Sequence, residues 1–272
     1  MTNVLKIGAL VLALALIVGV CLFANSLVGN PISKSMAENT AKKHIEQNYK
    51  NTDYELKEVS YNYKDRYYHA LISSDSKIDS EFTLMINKLG KVEYDNYEYS
   101  VTNGWNTAIR HDKDYRKAVE TLIKSNNFPY EAYIGYGELI FVTEEQKDDP
   151  MTSDYALITN ELTPGAYYDV NKLGASSGKL TVYIDDETVS TERMAEILLG
   201  IRKCFDDAGV GFHAIECVLE YPKNEDGFYE FGRVEVIDFL YSDIYEENLI
   251  ERVEKANEAA IEYYGSFDKT AE

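Results

Sequence analysis

The pattern of apolar and polar positions divides the chain into three regimes. Ile7 to Ala24 is an uncharged apolar run, IGALVLALALIVGVCLFA. A bilayer-spanning helix needs about 20 predominantly apolar residues, so residues 1–28 read as an N-terminal transmembrane helix with the rest of the chain outside the cytoplasm. A cleaved signal peptide stays open, since Ala24-Asn25-Ser26 offers the small-any-small pattern of a cleavage site. So does a lipoprotein at Cys21, although Val18-Gly19-Val20 puts branched residues where small ones are usual. After Gly29 the pattern changes. Asn30-Pro31 pairs a cap with a first-turn proline, and Ile32, Met36, Ala41, Ile45 and Tyr49 predict one apolar helix face. Four short alternating runs follow at 54–63, 67–73, 80–87 and 91–99, with Val59, Tyr61 and Tyr63 on one face and Phe82, Leu84 and Ile86 on another. Turn chemistry separates them. The expectation is a helix plus a four-stranded antiparallel sheet, the Met36/Ile45 stripe covering one face.

Asn103-Gly104-Trp105 interrupts the alternation, and Tyr115, Val119, Leu122 and Ile123 predict a helix that closes a first domain over 29–130. In a connecting segment over 131–178, residues 135–142 regain strand character, and the polar stretch TEEQKDDPMT reads as an exposed loop. The third regime is a second domain over 179–272. It begins with a strand at 179–185 and a helix opened by Ser190, striped by Met194, Ile197, Leu198, Ile201 and Phe205, and stopped by Gly209. Strands at 212–221 and 231–240 join through a hairpin at 222–227, and a closing helix at 245–264 carries a ridge of Leu249, Val253, Ala256, Ala260 and Tyr264. This is a second two-layer α+β sandwich, completed by a strand from the preceding segment. The fold class is therefore α+β throughout, behind the transmembrane helix.

Charge sharpens the division. The chain of 272 residues carries a net charge of −20. Residues 29–125 hold 15 basic and 15 acidic side chains, residues 126–179 hold 3 and 9, and residues 180–272 hold 8 and 23. Acidity on that scale excludes nucleic acid as a partner and keeps the distal domain away from anionic surfaces. With Cys21 in the apolar run, Cys204 and Cys217 are too few for a disulfide framework, and read as two buried thiols or a single bridge.

No chemical motif stands out. His44, His69, His111 and His213 are scattered without metal-ligand spacing, and Asp185-Asp186-Glu187 and Asp206-Asp207 lack the oxygen pattern of a calcium loop. Glu216, Glu220, Glu230 and Glu235 fall on adjacent strands as a conceivable hydrolytic pair, but acidic sheets produce such pairs routinely. Ser176-Ser177 sits in a Gly-rich turn without a nucleophile elbow. The expectation is a protein that is not an enzyme and holds no cofactor or metal. Among the 23 tyrosines, most suit half-buried strands. Tyr94, Tyr97, Tyr99 and Trp105 are the expected exposed aromatic interaction patch.

The segments GNPISKSMAENTAKKHIEQNY, TDYELKEVSYNYKDRYY and NGWNTAIR, with DVNKLGASSGKLTVYI and STERMAEILLGIRKCFDDAGVGFHAIECVLEY further on, resemble the YfjL-like family of membrane-anchored proteins from Gram-positive bacteria. The resemblance implies architecture and location rather than chemistry, and supplies no catalytic residues. The functional expectation is a membrane-anchored, extracytoplasmic binding or interaction module of the cell envelope. Its expected partners are membrane lipid, through the N-terminal helix, and an envelope protein or peptide. The alternative is an extracytoplasmic inhibitor or chaperone of a protease, since a helix over four strands is the topology of PepSY-like and cystatin-like modules.

Overall fold

The computed structural model describes residues 2–223 and 232–268. The chain divides into two compact units between Asn106 and Thr107. The first opens with helix α1 (Thr2–Val28), whose apolar side chains from Ile7 to Val20 are exposed. The expected transmembrane helix is corrected: among the described residues no helix is long and apolar enough to cross a membrane.

Gly29, at φ +70°, turns the chain from α1 into α2 (Pro31–Asn48), where Asn30 caps the Ser33 N–H as its sequence context implies. The turn is fastened to the sheet. The Asn30 N–H donates to the Tyr68 hydroxyl (3.0 Å) and that hydroxyl donates back to the Asn30 carbonyl (3.1 Å). Strands β1 (Tyr54–Asn62), β2 (Tyr67–Ser74), β3 (Phe82–Ile86) and β4 (Val92–Asp95) then pair in chain order, all antiparallel. This is the expected helix and meander.

The face that α2 buries is the expected one only in its second half, where Ala41 is buried and Ile45 and Tyr49 pack against the core. Ile32 and Met36 are 75% and 41% exposed, whereas Ser33, Ala37 and Ala41 are buried. Small side chains at i, i+4 and i+8 let the helix axis approach the sheet, where Tyr68, Ile72, Phe82, Leu84 and Ile86 fill the space between them. Shape outweighs hydrophobicity here.

In the second unit, α3 (Trp105–Ile123, from Thr107 onward), β5 (Ala132–Leu139), β6 (Phe141–Val142), β7 (Leu157–Ile158), α4 (Val170–Ser177), β8 (Gly178–Asp185), α5 (Thr191–Ala208), β9 (Ala214–Glu220), β10 (Arg233–Leu240) and α6 (Leu249–Asp268) follow in order. The main sheet runs β10-β9-β8-β5, with β8 and β9 parallel and joined by the α5 crossover. The strand needed to complete it is β5, from the expected connecting segment. α3 also belongs here rather than to the first unit, because Tyr115, Val119 and Leu122 enter the core formed by β8, β9, α5 and α6. A Cβ on Gly137 would lie 2.6 Å from Val119 Cγ2, so glycine sets the approach of α3 to β5. The closing helix starts at Leu249, later than expected, after a 3-10 turn at Tyr241–Asp243. The expected hairpin at 222–227 lies largely outside the described residues. Cys204 and Cys217 are free and buried, and burial pushes the Cys217 thiol up to about 12.

Both edges of this sheet are blunted by helices. The Asp112 carboxylate on α3 accepts the Leu139 N–H of β5 (2.8 Å), and Asn257 on α6 accepts the Glu235 N–H of β10 (2.9 Å). Arg116 lies over the Tyr136 ring and 3.7 Å from Glu138 on β5. These contacts occupy one backbone N–H on each edge strand and so reduce its capacity to pair with another chain.

Two outcomes follow from these contacts. Ala41→Leu should overpack the α2 seam and cost about 1–3 kcal/mol in urea unfolding, while Ile32→Ser should stay within about 0.5 kcal/mol; the reverse ranking would restore the larger stripe as the buried one. Asp53 accepts the hydroxyls of Ser74 (2.6 Å) and Ser76 (2.5 Å), which hold its carboxyl down at about 2. A depressed folded-state value gives stability present above the unfolded-state value and lost as pH falls through the folded one. Ser76→Ala should therefore move the Asp53 titration midpoint upward in NMR, and an unmoved midpoint would exonerate the hydroxyl.

Candidate functional site

The aromatic residues singled out in the first unit separate into two groups. Tyr97 turns inward and packs against Tyr49 (4.8 Å between centroids), Phe82 (5.1 Å) and Tyr54 (5.7 Å), so it belongs to the core edge. Tyr94 and Tyr99 are 52% and 37% exposed. Tyr99 lies against Trp105, centroids 4.9 Å apart and planes 36° apart. Partial burial, and then the neighbouring Tyr94, raises the Tyr99 hydroxyl pKa above its ordinary value. Three of the four residues therefore form a patch.

The backbone explains the split. Residues Glu98–Thr102 form a single π-helical turn, closed by the Asn103 N–H on the Glu98 carbonyl (2.8 Å), and Gly104 at φ +73° ends it. The wider turn changes the phase of successive side chains, burying Ser100 and Val101 while Tyr99 points out. Asp95 anchors this segment to α2. Its Oδ2 accepts the Tyr49 hydroxyl and the His44 Nε2–H, each at 2.7 Å, and its Oδ1 accepts the Tyr97 N–H at 3.0 Å. Burial, then the bond to Asp95, raises the Tyr49 pKa, so its hydroxyl stays a donor. Strand register extends the patch: Ser60, His69, Met85 and Tyr94 pair across β1 to β4 in one row, on the sheet face opposite the buried Ala70, Ile72, Leu84 and Ile86. Sequence reasoning missed His69 and Met85, whose signal is the non-core phase of the same alternation.

A second cluster occupies the β8–β10 face turned away from α5. Register places Ile134, Tyr183, Val218 and Glu235 in one row, and Asp185, Glu220 and Arg233 in the next. Glu216 accepts the Tyr183 hydroxyl (3.1 Å) and pairs with Lys179 (3.4 Å). The bulge before Phe239 puts Asp238 at φ +48°, where it pairs with Lys179 (2.9 Å) and accepts the Tyr155 hydroxyl (2.9 Å). Glu235, buried, pairs with Arg233 (2.7 Å) and accepts the Tyr264 hydroxyl (3.3 Å), while Glu220 accepts the Tyr133 hydroxyl. Burial works against the Lys179 ammonium, but the bond and charge of Asp238, with Glu216 behind it, hold its pKa above the ordinary value. Burial and then Glu216 push the Tyr183 hydroxyl up to about 12.

The carboxylates raised as a hydrolytic pair are thus each occupied by a cation or a hydroxyl; Glu230 lies outside the described residues. Asp185 is the exception. Its Oδ1 is buried without a hydrogen-bond partner, and burial followed by the charge of Glu220 raises its pKa. His111 is buried on α3, with Nδ1 on the Thr107 carbonyl (2.8 Å) and Nε2 accepting the Tyr168 N–H (2.9 Å). Among the described residues no group of three His, Cys, Asp or Glu side chains could hold a metal ion.

These two sheet-and-helix units define a two-domain α+β protein, and the sequence comparisons also find two domains, with their boundary inside α3 rather than at its start. The YfjL-like N-terminal domain matches residues 4–113 and the YfjL-like C-terminal domain matches residues 114–254, so the chain belongs to the YfjL-like family. No curated protein and no solved structure matches it.

The unpartnered Oδ1 of Asp185 has a measurable signature. A folded-state pKa raised above the unfolded value means that stability is full below the unfolded value and falls as pH rises through the folded one. Asp185→Asn should raise the unfolding temperature at pH 7, with the gain vanishing below about pH 4. A loss at pH 7 would mean that the carboxylate is stabilising as it stands.

Proposed function

We propose that this protein acts by binding, with the Tyr94–Tyr99–Trp105 cluster of its first unit recognising an extended segment of a peptide or protein partner. The observation that carries this reading is the placement of two exposed rings, Tyr94 and Tyr99, beside the half-buried Trp105 on a braced segment. Aromatic side chains contribute large apolar area at small entropic cost, and they dominate the energetics of protein interfaces. Asp95 and the π-helical turn hold the rings in place before a partner arrives, which reduces the ordering cost of association. The adjoining Met85 and His69 offer a mixed apolar and polar bed of the kind an extended chain lies across.

A helix over a four-stranded meander also favours the narrower reading of a protease inhibitor or chaperone, by topology alone. The expected placement outside the cytoplasm rested on a spanning segment and is not carried into this proposal.

The chain has one tryptophan, so its intrinsic fluorescence reports from the proposed site itself. Random dodecapeptides selected by phage display on the folded protein should shift Trp105 emission on binding. Tyr99→Ala and Trp105→Ala should weaken the selected peptides at least tenfold, about 1.4 kcal/mol, without moving the unfolding midpoint by more than about 1 kcal/mol. Peptides that bind both variants as tightly as the parent would place recognition elsewhere and end this reading.

A further inference from the structure

Residues 163–169 of the second unit run outside any helix or strand, and side chains from the first turns of α3 hold them. The Gly165 N–H donates to Thr107 Oγ1 (2.9 Å), Arg110 Nη2 donates to the Ala166 carbonyl (2.6 Å) and the Tyr168 N–H donates to His111 Nε2 (2.9 Å). Thr107, Arg110 and His111 stand at i, i+3 and i+4, on one side of the helix. Within the segment the Ala166 N–H bonds the Thr163 carbonyl (3.0 Å) and the Thr163 N–H bonds the Tyr168 hydroxyl (2.8 Å). The ties to α3, rather than a local ladder, fix its course.

His111 is 1% exposed, and its partners dictate its protonation. A backbone carbonyl only accepts and a backbone N–H only donates. Nδ1, 2.8 Å from the Thr107 carbonyl, therefore carries the proton, and Nε2, facing the Tyr168 N–H, carries the lone pair. That is the neutral imidazole. The imidazolium has an N–H on both nitrogens, so a second proton would set donor against donor at Tyr168 and leave both groups buried and unsatisfied. Arg110 Nη1 lies 3.4 Å from the same Nε2, so the new charge would also meet a guanidinium where solvent screens little. Arg110 is the side chain that holds the Ala166 carbonyl. One proton thus acts on two of the three ties.

The surroundings offer that proton no compensation. Among the described residues His111 pairs with no carboxylate. On the elements packed around it, Asp112 accepts the Leu139 N–H and Asp169 the Asn171 N–H, while Lys113, Asp114 and Glu161 are exposed. The Tyr168 ring meets the imidazole edge to face at 5.4 Å. His44 and His69 have the opposite arrangement: each lies 2.7 Å from a carboxylate, Asp95 and Asp65, and a second proton strengthens those contacts.

We propose that residues 163–169 are a strap released by acid: uptake of one proton by His111 frees the segment from α3 and uncovers the helix face that carries Thr107, Arg110 and His111. The closed strap has no place for the second proton and the open one does, so the open form binds more protons and gains population as pH falls. Of the three tying side chains, histidine is the one whose charge changes between about pH 5 and 8. The strap responds in that window.

The test is amide hydrogen exchange of the full chain, expressed as protection relative to the free peptide so that the intrinsic pH dependence of exchange cancels. Between about pH 7.5 and about pH 5, protection of the Gly165 and Tyr168 amides should fall by about tenfold or more, while that of Leu198 in α5 stays constant. His111→Gln supplies a donor and an acceptor that carry no charge at any pH, and should abolish the pH dependence at whatever protection it leaves. Constant protection at Gly165 and Tyr168 in the parent, or a pH-dependent loss that survives in His111→Gln, would overturn the proposal. So would a parallel loss at Leu198, which would make the event unfolding of the whole unit rather than release of the strap.

Discussion

A four-stranded sheet covered by helices on one face has to settle its other face with side chains that tolerate water or bond to one another. Both units live under that constraint. In the first, α2 sits close to the sheet because Ser33, Ala37 and Ala41 are small, and the far face is left with the row from Ser60 to Tyr94. In the second, α3, α5 and α6 supply the apolar layer, and the far face is filled by Lys179, Glu216, Tyr183, Glu235 and Arg233 in mutual contact. Buried ionic groups of this kind cost desolvation and are a poor route to stability, but leaving one without its partner costs more. The network therefore constrains substitution even where it adds little to the free energy of folding.

Much of the backbone was legible in advance, for identifiable reasons. Period-two alternation at 54–99 marks strands that have one covered face, and it gave the meander in its correct order. The α5 stripe and Gly209 are a complete helix signal, with Ser190 capping the Arg193 N–H and Gly209 at φ +68°. The first half of the buried face of α2 was misread, while Ala41, Ile45 and Tyr49 face the core as expected, because hydrophobicity ranks Ile32 and Met36 above alanine, whereas close approach to a sheet rewards small volume. The first-domain boundary was placed late because periodicity shows that 105–123 is helical without showing which core Tyr115 enters. The apolar run from Ile7 invited a spanning helix; the described residues hold no such helix.

The candidate sites were less legible than the fold. The expected exposure holds for Tyr94 and Tyr99, whereas Trp105 is half-buried and Tyr97 turns inward ahead of the π-helical turn, which single-residue patterns do not encode. The polar face of the second unit depends on which residues of β8, β9 and β10 stand opposite one another, and on a bulge that re-aims Asp238. Such pairings join positions that lie more than thirty residues apart. No local signal carries them.

The distribution of cations gives the last link between composition and structure. In a unit this acidic, most positive side chains are consumed by structure: Arg193 by Asp186 and Glu196, Lys203 by Asp207, Arg233 by Glu235, Lys255 by Glu251. Arg252 is used on backbone, donating to the carbonyls of Asp243, Tyr245 and Glu247 ahead of α6. Among the described residues of this unit, Lys113, Lys117 and Lys172 stand without such a partner. The first two share the outer face of α3 with Arg116 and Lys124, where water solvates them at no cost. Lys172 is likewise exposed, on α4.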